Sequence, residues 1–457
     1  MAANASHLMG AELTYEYAGT IANPFQYRVV ARLFSDQNSA VTDPQLVLTC
    51  GRNECGTALT GSFLATLVEV NNVSNLTGCT NGGAAYQVST LVALVQLPPA
   101  RWTLSIDGSN RAIGIANVTQ SGNQSTYVQA LLDNSTSLVN SSPRFTTSQL
   151  IELAGAQDQR YSVNAFDSEG DSLVYQLVRP LATPTPAAPC GTPTLGLLAP
   201  HFQLNAATGE LRTLAGPPQL GRYTLATRID EFRRISGNWQ LIGSITRDVT
   251  YFVMSGTNQV PAFTRVALSQ APTGQLLDQL IRVNPSQTVT LRLSAADPNA
   301  GQQLRLTSDL AAVVPGAALQ DQGNGQGLLT WQVPATLPMG RYAFTTSAYD
   351  NNCPIQGGAV LTLRFLVTRD VLVTQTYQPL PETPFPIPFT DEVRFQLAGP
   401  GNAPVIVVDR LGRTVAQLIS APDGRVRWYP ATSLAAGLYL ARKVGGTQIA
   451  RLLYNGR

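Results

Sequence analysis

Lysine is almost missing from this 457-residue chain, with Lys443 the only one, and histidine occurs twice, as His7 and His201. Charged residues reach only 13%, about half of the ~25% usual in soluble domains. With 30 Lys+Arg against 28 Asp+Glu, the net charge is +2. Such a chain has no clustered positive charge to release phosphate counterions, which excludes a polybasic nucleic-acid binder. Two distant histidines argue against a multi-histidine metal site. A 44% hydrophobic content excludes disorder driven by charge. No apolar run approaches the ~18 residues of a membrane-spanning helix, and stretches such as Leu91–Leu97 are of strand length. The opening Met-Ala-Ala-Asn-Ala-Ser has neither a charged nor an apolar leader region. It resembles residues just after a cleavage site, so a leader is expected to have been removed or replaced.

Cysteine is also scarce. Cys50, Cys55, Cys79, Cys190 and Cys353 match no zinc pattern, which requires paired knuckles converging on one ion. Cys50 and Cys55 lie too far apart for a C-x-x-C redox pair. A structural disulfide is the expectation there, with Cys79 a competing partner, and the odd count leaves a thiol over.

What the sequence does have is period-two alternation bounded by Gly, Pro, Asn, Asp and Ser. Examples are Gln26–Phe34, Gly221–Ile229, Thr288–Leu293 and Gly340–Ala348. Alternation sends every second side chain to one sheet face, as half-buried antiparallel strands require. Helical periodicity is confined to short candidates at Ser148–Gly155 and Gly274–Ile281. The predicted class is all-β: tandem immunoglobulin- or cadherin-like β-sandwiches with a small closing sandwich. Composition breaks divide the chain into an N-terminal β-rich domain (1–145), two sandwiches (146–256 and 257–375), a proline-rich linker (376–389) and a closing domain (390–457). Linker prolines favour extended geometry. The second unit carries a Pro/Ala-rich insertion at 181–194, unsuited to a strand interior.

The two middle units share a layout. Each has a strand ending in an acidic turn, at 164–177 and 294–307, and later a Gly-Arg-Tyr strand that runs to acidic residues, at 221–231 and 340–352. The acidic turn Asp167-Ser-Glu169-Gly170-Asp171 holds the densest chemistry, since three carboxylates in five residues repel unless solvated or neutralised. Alternating oxygen ligands suit calcium, which takes six to eight of them. The predicted metal residues are Asp167, Glu169, Asp171 and Asp230, with Glu231 beside Asp230 at the end of a strand that could lie along the turn; Asp297, Asn299 and Asp350, next to Asn351, are the equivalent set in the next unit. The plainer reading is that Asx side chains close these turns.

Catalytic signals are weak. Glu210 lacks a partner carboxylate at definable spacing. His201 has no placed nucleophile, and nucleophile-elbow, zinc-protease, phosphate-loop and dinucleotide motifs are absent. No enzyme activity is expected. Asn-x-Ser/Thr matches at Asn72, Asn75, Asn117 and Asn134 read as polar loops more than glycan acceptors. Trp102, Trp239 and Trp331 fall one per unit, which is more simply packing than a sugar platform.

Two family resemblances follow from specific segments. Pro386-Ile387-Pro388-Phe389, the strand Val393–Leu397, the segment Val405–Val415, Ala436–Leu440 and Arg451–Tyr454 together resemble the C-terminal sorting domain of the type IX secretion system of Bacteroidota. Ile387 stands where asparagine is more usual. His7–Tyr15, Ser142–Phe145, Asp167–Tyr175, Phe202–Glu210, Asp230–Arg233 and Leu241–Asp248 resemble Bacteroidota surface proteins associated with gliding-motility C-terminal domains. These resemblances imply passage through the outer membrane and an extracellular or outer-membrane surface location. The expected function is structural or adhesive, as in a filament subunit whose N-terminal strand around Ala11–Tyr17 pairs with a neighbour's sheet edge; pairing within its own domain is the simpler alternative. A glycan-binding module is the other reading. Expected partners are copies of the chain itself, the type IX machinery and surface glycans, with no nucleic acid.

Overall fold

The computed structural model describes residues 8–37, 45–52, 61–75, 85–136, 138–184, 193–216, 218–269, 277, 279–353, 355–369, 380–398, 401–409, 413–444 and 448–456. Two compact units divide the chain, Met1–Arg369 and Asp370–Arg457. The first contains three modules.

Module 1 consists of β1 (Leu8–Tyr17), β2 (Gln26–Asp36), β3 (Gln45–Arg52), β4 (Phe63–Asn75), β5 (Tyr86–Gln96), β6 (Arg101–Asn110) and β7 (Ser125–Asp133). Alternation builds its core directly. Along β2, Val29, Ala31 and Leu33 are buried while Arg28, Val30 and Arg32 are only partly covered. The strand order is β1-β2-β5-β4 followed by β3-β6-β7, with β3 and β4 paired at the corner. This is the four-plus-three order of an immunoglobulin sandwich.

Module 2 consists of β8 (Arg144–Phe145), β9 (Glu152–Ala154), β10 (Arg160–Ser162), β11 (Ala165–Phe166), β12 (Ser172–Val178), β13 (Phe202–Leu204), β14 (Glu210–Thr213), β15 (Gly221–Ile235) and β16 (Asn238–Met254). Its sheets run β9-β16-β15-β12, with β9 parallel to β16, and β10-β14-β13. Module 3 repeats that plan. It contains β17 (Ala262–Leu268), β18 (Leu280–Val283), β19 (Thr288–Ala296), β20 (Arg305–Thr307), a helical turn at Leu310–Val313, β21 (Ala317–Gly323), β22 (Gln326–Gln332), β23 (Gly340–Tyr349) and β24 (Gly358–Val367). Its sheets are β17-β19-β22-β21 and β18-β24-β23-β20, again with one parallel pair, β18 with β24. Trp331 centres its core, 5.3 Å from the Phe344 ring and 4.9 Å from Phe365.

The closing unit contains β25 (Glu382–Phe385), β26 (Val393–Gln396), β27 (Pro404–Val408), β28 (Thr414–Ile419), β29 (Arg425–Trp428), β30 (Gly437–Lys443) and β31 (Ile449–Tyr454). They form two sheets, β25-β26-β29 and β28-β27-β30-β31. The linker expected over 376–389 is therefore shorter, because β25 pairs with β26 inside this unit. Neither helical candidate forms as expected. Ser148–Gly155 contains β9, and Gly274–Ile281 lies partly outside the described residues and runs into β18.

Modules 1 and 2 share a strand. On one side, β16 pairs with β15 along nearly its full length. Its other edge takes β7 at Gly243–Ile245, β1 at Arg247–Val249 and β9 at Phe252–Met254. At Gly10 the backbones approach so closely that a β-carbon would sit 2.5 Å from the Asp248 carbonyl oxygen. The N-terminal strand pairs within its own chain, with β2 from Leu8 to Tyr17 and with β16 at Gly10–Glu12, as the simpler of the two expectations has it. Modules 2 and 3 are bonded through Thr146 and Thr345 (2.9 Å), Thr362 and Ser162 (3.0 Å), and the Ser148 N–H donating to Asp309 (2.7 Å).

Candidate functional site

The acidic turn closes between β11 and β12. The Asp171 N–H donates to Asp167 Oδ1 at 2.8 Å, and Gly170 takes a positive φ of 78°. A β-carbon on Gly170 would lie 2.6 Å from the Tyr342 hydroxyl of module 3, so the turn sits against that module. Glu231, near the far end of β15, reaches the same place. One carboxylate oxygen each from Asp167, Asp171 and Glu231 lies within 4.8 Å of the others. Glu231 is completely buried and Asp167 is 4% exposed.

Groups from β1, β15, β16 and the connection from module 1 surround this cluster. The Asn140 carboxamide, in the connection from module 1, donates to Glu231 Oε2 at 2.8 Å, and Tyr15 of β1 donates to the Leu131 carbonyl beside it. Gly243 lets β16 come close: a β-carbon there would lie 2.5 Å from the Tyr15 hydroxyl and 2.6 Å from Glu231 Oε2. Arg233 grips Asp171 with two nitrogens, Nε at 2.7 Å and Nη2 at 2.5 Å, and donates also to Asn140 Oδ1 and the Val139 carbonyl. Asp167 Oδ2 and Glu231 Oε1 have no N–H or hydroxyl donor among the described residues; the two carboxyls are within hydrogen-bond reach of one another, a contact that one shared proton would close. Burial pushes the Asp167 carboxyl up to about 6, with the Asp171 and Glu169 charges adding to the rise. Burial and the charges of Asp167 and Asp171 raise Glu231 well above the ordinary glutamate value.

The predicted set is thereby corrected at two positions. Asp230 points to the opposite face of β15, where Arg228 (2.6 Å) and Gln176 (2.9 Å) hold it. Glu169 is half-buried and takes the Ser168 hydroxyl. Glu231 replaces them. In module 3, burial raises the Asp297 carboxyl and the Asp350 charge adds to the rise. Asp350 Oδ1 accepts the N–H groups of Asn352 and Gly357, and its Oδ2 accepts Asn258 at 2.8 Å. Asn299 spends its side-chain oxygen on the Gln259 N–H. Asn258 thus serves Asp350 as Asn140 serves Glu231. Glu231 and Asp350 each stand ten positions after the glycine that opens their strands.

Other expected sites resolve differently. Cys50 is a free thiol buried in the core of module 1, so the proposed bond to Cys55 or Cys79 fails at Cys50; burial pushes this thiol up to about 12. Cys353 is disulfide-bonded, and Cys55, Cys79 and Cys190 lie outside the described residues. His201 bonds the Tyr251 hydroxyl at 2.8 Å through Nδ1, and burial lowers its pKa. Glu210 pairs with Arg212 at 2.9 Å. Trp102 and Trp331 are core residues, while Trp239 is 62% exposed at the β15–β16 turn. Asn117 and Asn134 are buried and hydrogen bonded to backbone. A cleft of about 380 Å³ lined by Asn205, Thr208, Glu210, Arg212, Thr362 and Arg364 runs between modules 2 and 3. No helix among the described residues is long and apolar enough to cross a membrane.

No family model matches the sequence, and no curated protein does. Among solved structures it is similar to the N-terminal eight Ig domains of Down syndrome cell adhesion molecule, at 12% identity over 94% of this chain and 47% of that one, TM-score 0.17. It is similar also to a three-Ig fragment of titin with Glu-to-Ala changes, at 10% identity over 69% of this chain and 99% of that one, TM-score 0.17. The EC1-4 fragment of Drosophila N-cadherin aligns at 11% identity over 91% of this chain and 93% of that one, TM-score 0.19. The chain spans about half the length of the first of these structures. The strand orders define the class without them: this is an all-β protein of tandem immunoglobulin-like sandwiches.

Proposed function

We propose that this chain is an extracellular structural or adhesive protein whose first three modules act as one stiff body. The observation that supports this reading most is the shared hairpin: β15 and β16 belong to module 2, yet one edge of β16 also binds β7 and β1 of module 1. Separating the two modules would break ladder hydrogen bonds and expose buried polar groups, a cost that linked modules with small polar interfaces do not carry. The joint with module 3 adds Thr146–Thr345, Thr362–Ser162 and the packing of Phe166 on Tyr342 at 5.6 Å. Stiffness across several sandwiches suits a protein that projects a surface or bears load. Fluorophore pairs on exposed sites of modules 1 and 3 in the full chain test it by single-molecule energy transfer. One narrow distance distribution is expected. A broad distribution, as for modules on a free linker, would refute the reading.

For the closing unit we carry forward type IX sorting. Its support is that the segments carrying the resemblance fall on β26, β27, β30 and β31 of a two-sheet sandwich. A reporter fused to residues 380–457 is expected to reach the medium or cell surface of a host with that machinery. Retention in the periplasm would sink the assignment.

A further inference from the structure

We propose that Asp167, Asp171 and Glu231 form a divalent-cation site, of the oxygen-ligand class that takes Ca²⁺, at the joint of the first three modules. This goes beyond the structural reading above and borrows from it only that the three modules meet at this point. The first support is charge. Three carboxylates gather against one cation, Arg233. That guanidinium is already committed to Asp171, Asn140 and Val139. Arg233 acts on Glu231 only through its charge, and neither Asp167 nor Glu231 is hydrogen bonded to a cation among the described residues.

The second support is independent of the count of acids. Glu231 is fully buried, yet its Oε1 has no N–H or hydroxyl donor, and neither has Oδ2 of the nearly buried Asp167, so that at neutral pH the two carboxyls have only each other. A buried carboxylate oxygen without a partner is costly, and a cation between the two would satisfy both. No nitrogen or sulfur ligand is present, and hard carboxylate oxygens favour calcium or magnesium. Carboxylates brought together from separate elements, the turn and β15, suit calcium's loose geometry better than magnesium's strict octahedron.

The third support is position. Tyr15 and Asn140 bring module 1 to the cluster, β15 and β16 bring module 2, and the turn at Gly170 meets Tyr342 of module 3. The counterpart in module 3 has two carboxylates instead of three, and Asp350 is saturated by hydrogen bonds. The proposal is therefore confined to the Asp167 cluster. A single proton shared by Asp167 and Glu231 is the competing way to settle the charge.

The experiment uses the full chain, dialysed against chelator and returned to neutral buffer. CaCl₂ is titrated calorimetrically, and TbCl₃ is followed by luminescence sensitised through the nearby Tyr15. One site per chain is expected. Glu231→Gln and Asp167→Asn, each checked for folding by circular dichroism, are expected to weaken binding at least tenfold. Asp297→Asn is expected to leave it unchanged. No calcium heat and no terbium signal from the wild-type chain at millimolar metal would overturn the proposal. So would binding that both cluster variants retain in full. Because the wild-type titration decides alone, a variant that fails to fold does not shield the idea. A chain that binds no calcium but shows one narrow inter-module distance refutes this site and leaves the proposed function standing.

Discussion

Replacing Glu12 with leucine is expected to destabilise the first unit by about 3–5 kcal/mol, the range for stripping the partner from a buried charge. Glu12 lies in the middle of β1, opposite Arg247 of β16, with Nε 3.4 Å from its carboxylate. Both side chains are almost fully buried. Arg247 lies between the rings of Phe34 and Phe145, 5.3 and 5.1 Å from their centroids, and donates to the Thr147 carbonyl. Two of its nitrogens, Nε and Nη2, have no hydrogen-bond acceptor among the described residues. Burial lowers the pKa of this guanidinium, and the Glu12 charge opposes that fall. Without Glu12 the arginine has no facing carboxylate and cannot shed its proton at neutral pH. Arg247→Met alone should cost less, because Arg32 still reaches Glu12 at 3.1 Å. The pair Glu12→Leu with Arg247→Met should recover most of the loss, since apolar groups of similar volume remove both desolvation costs. Guanidinium denaturation of the full chain gives all four corners of this cycle. Additive losses would show that the two side chains are not coupled.

That pair explains what the sequence could and could not reveal. Alternation was visible, and it placed the strands of modules 1 and 3 with their inward faces. Even Cys50 could have been read this way: it continues the core side of β3 after Leu48, which speaks against a disulfide across a turn. Along β16 the same signal points the wrong way. Ser244, Thr246, Asp248 and Thr250 alternate with Ile245, Val249 and Tyr251, which reads as a strand with a wet polar face. Every one of these polar residues is buried. Module 1 covers them, and Asp248 is answered by Arg111 at 2.6 Å. Period two tells which residues share a face. It does not tell whether another module lies on that face, because this depends on pairing between strands more than a hundred positions apart.

The metal residues divide on the same ground. The Asp167 turn was legible from three acids around a glycine. Asp230 and Glu231 both end the strand expected beside the turn, but neighbours on a strand point to opposite faces, and only one can face it. Counting from the Gly-Arg-Tyr opening of both strands would have chosen Glu231, the position that matches Asp350. Asn140 carried no signal at all, since it sits in a polar connection whose approach to β15 is set by tertiary packing.

In chelator, the chain is expected to lose stability as the pH rises from about 4 to about 7, the reverse of ordinary acid denaturation. The sign follows from Asp167, whose carboxyl stands near 3.8 when free and is pushed to about 6 in the fold. Between those values the folded state holds more protons than the unfolded chain, so raising the pH favours unfolding. The penalty is absent below about 4 and complete above about 6. The gap between 3.8 and about 6 is worth on the order of 3 kcal/mol at Asp167. Glu231 acts in the same direction. The other groups around the pair are Asp171 with Arg233, Glu169, and the Tyr15, Tyr175 and Tyr342 hydroxyls. Burial raises these tyrosines, so they hold their protons across the window. The exposed carboxylate pairs elsewhere give slopes of the opposite sign but small size. Glu231→Gln keeps the shape, removes one charge, and should flatten the slope. Calcium should flatten it too, by exchanging an electrostatic penalty at neutral pH for a bound ion. Thermal midpoints of wild type and variant at pH 4.5, 6 and 7.5, with and without calcium, separate the cases. A wild-type midpoint that climbs with pH in chelator would mean that Asp167 and Glu231 are charged and satisfied in the fold already.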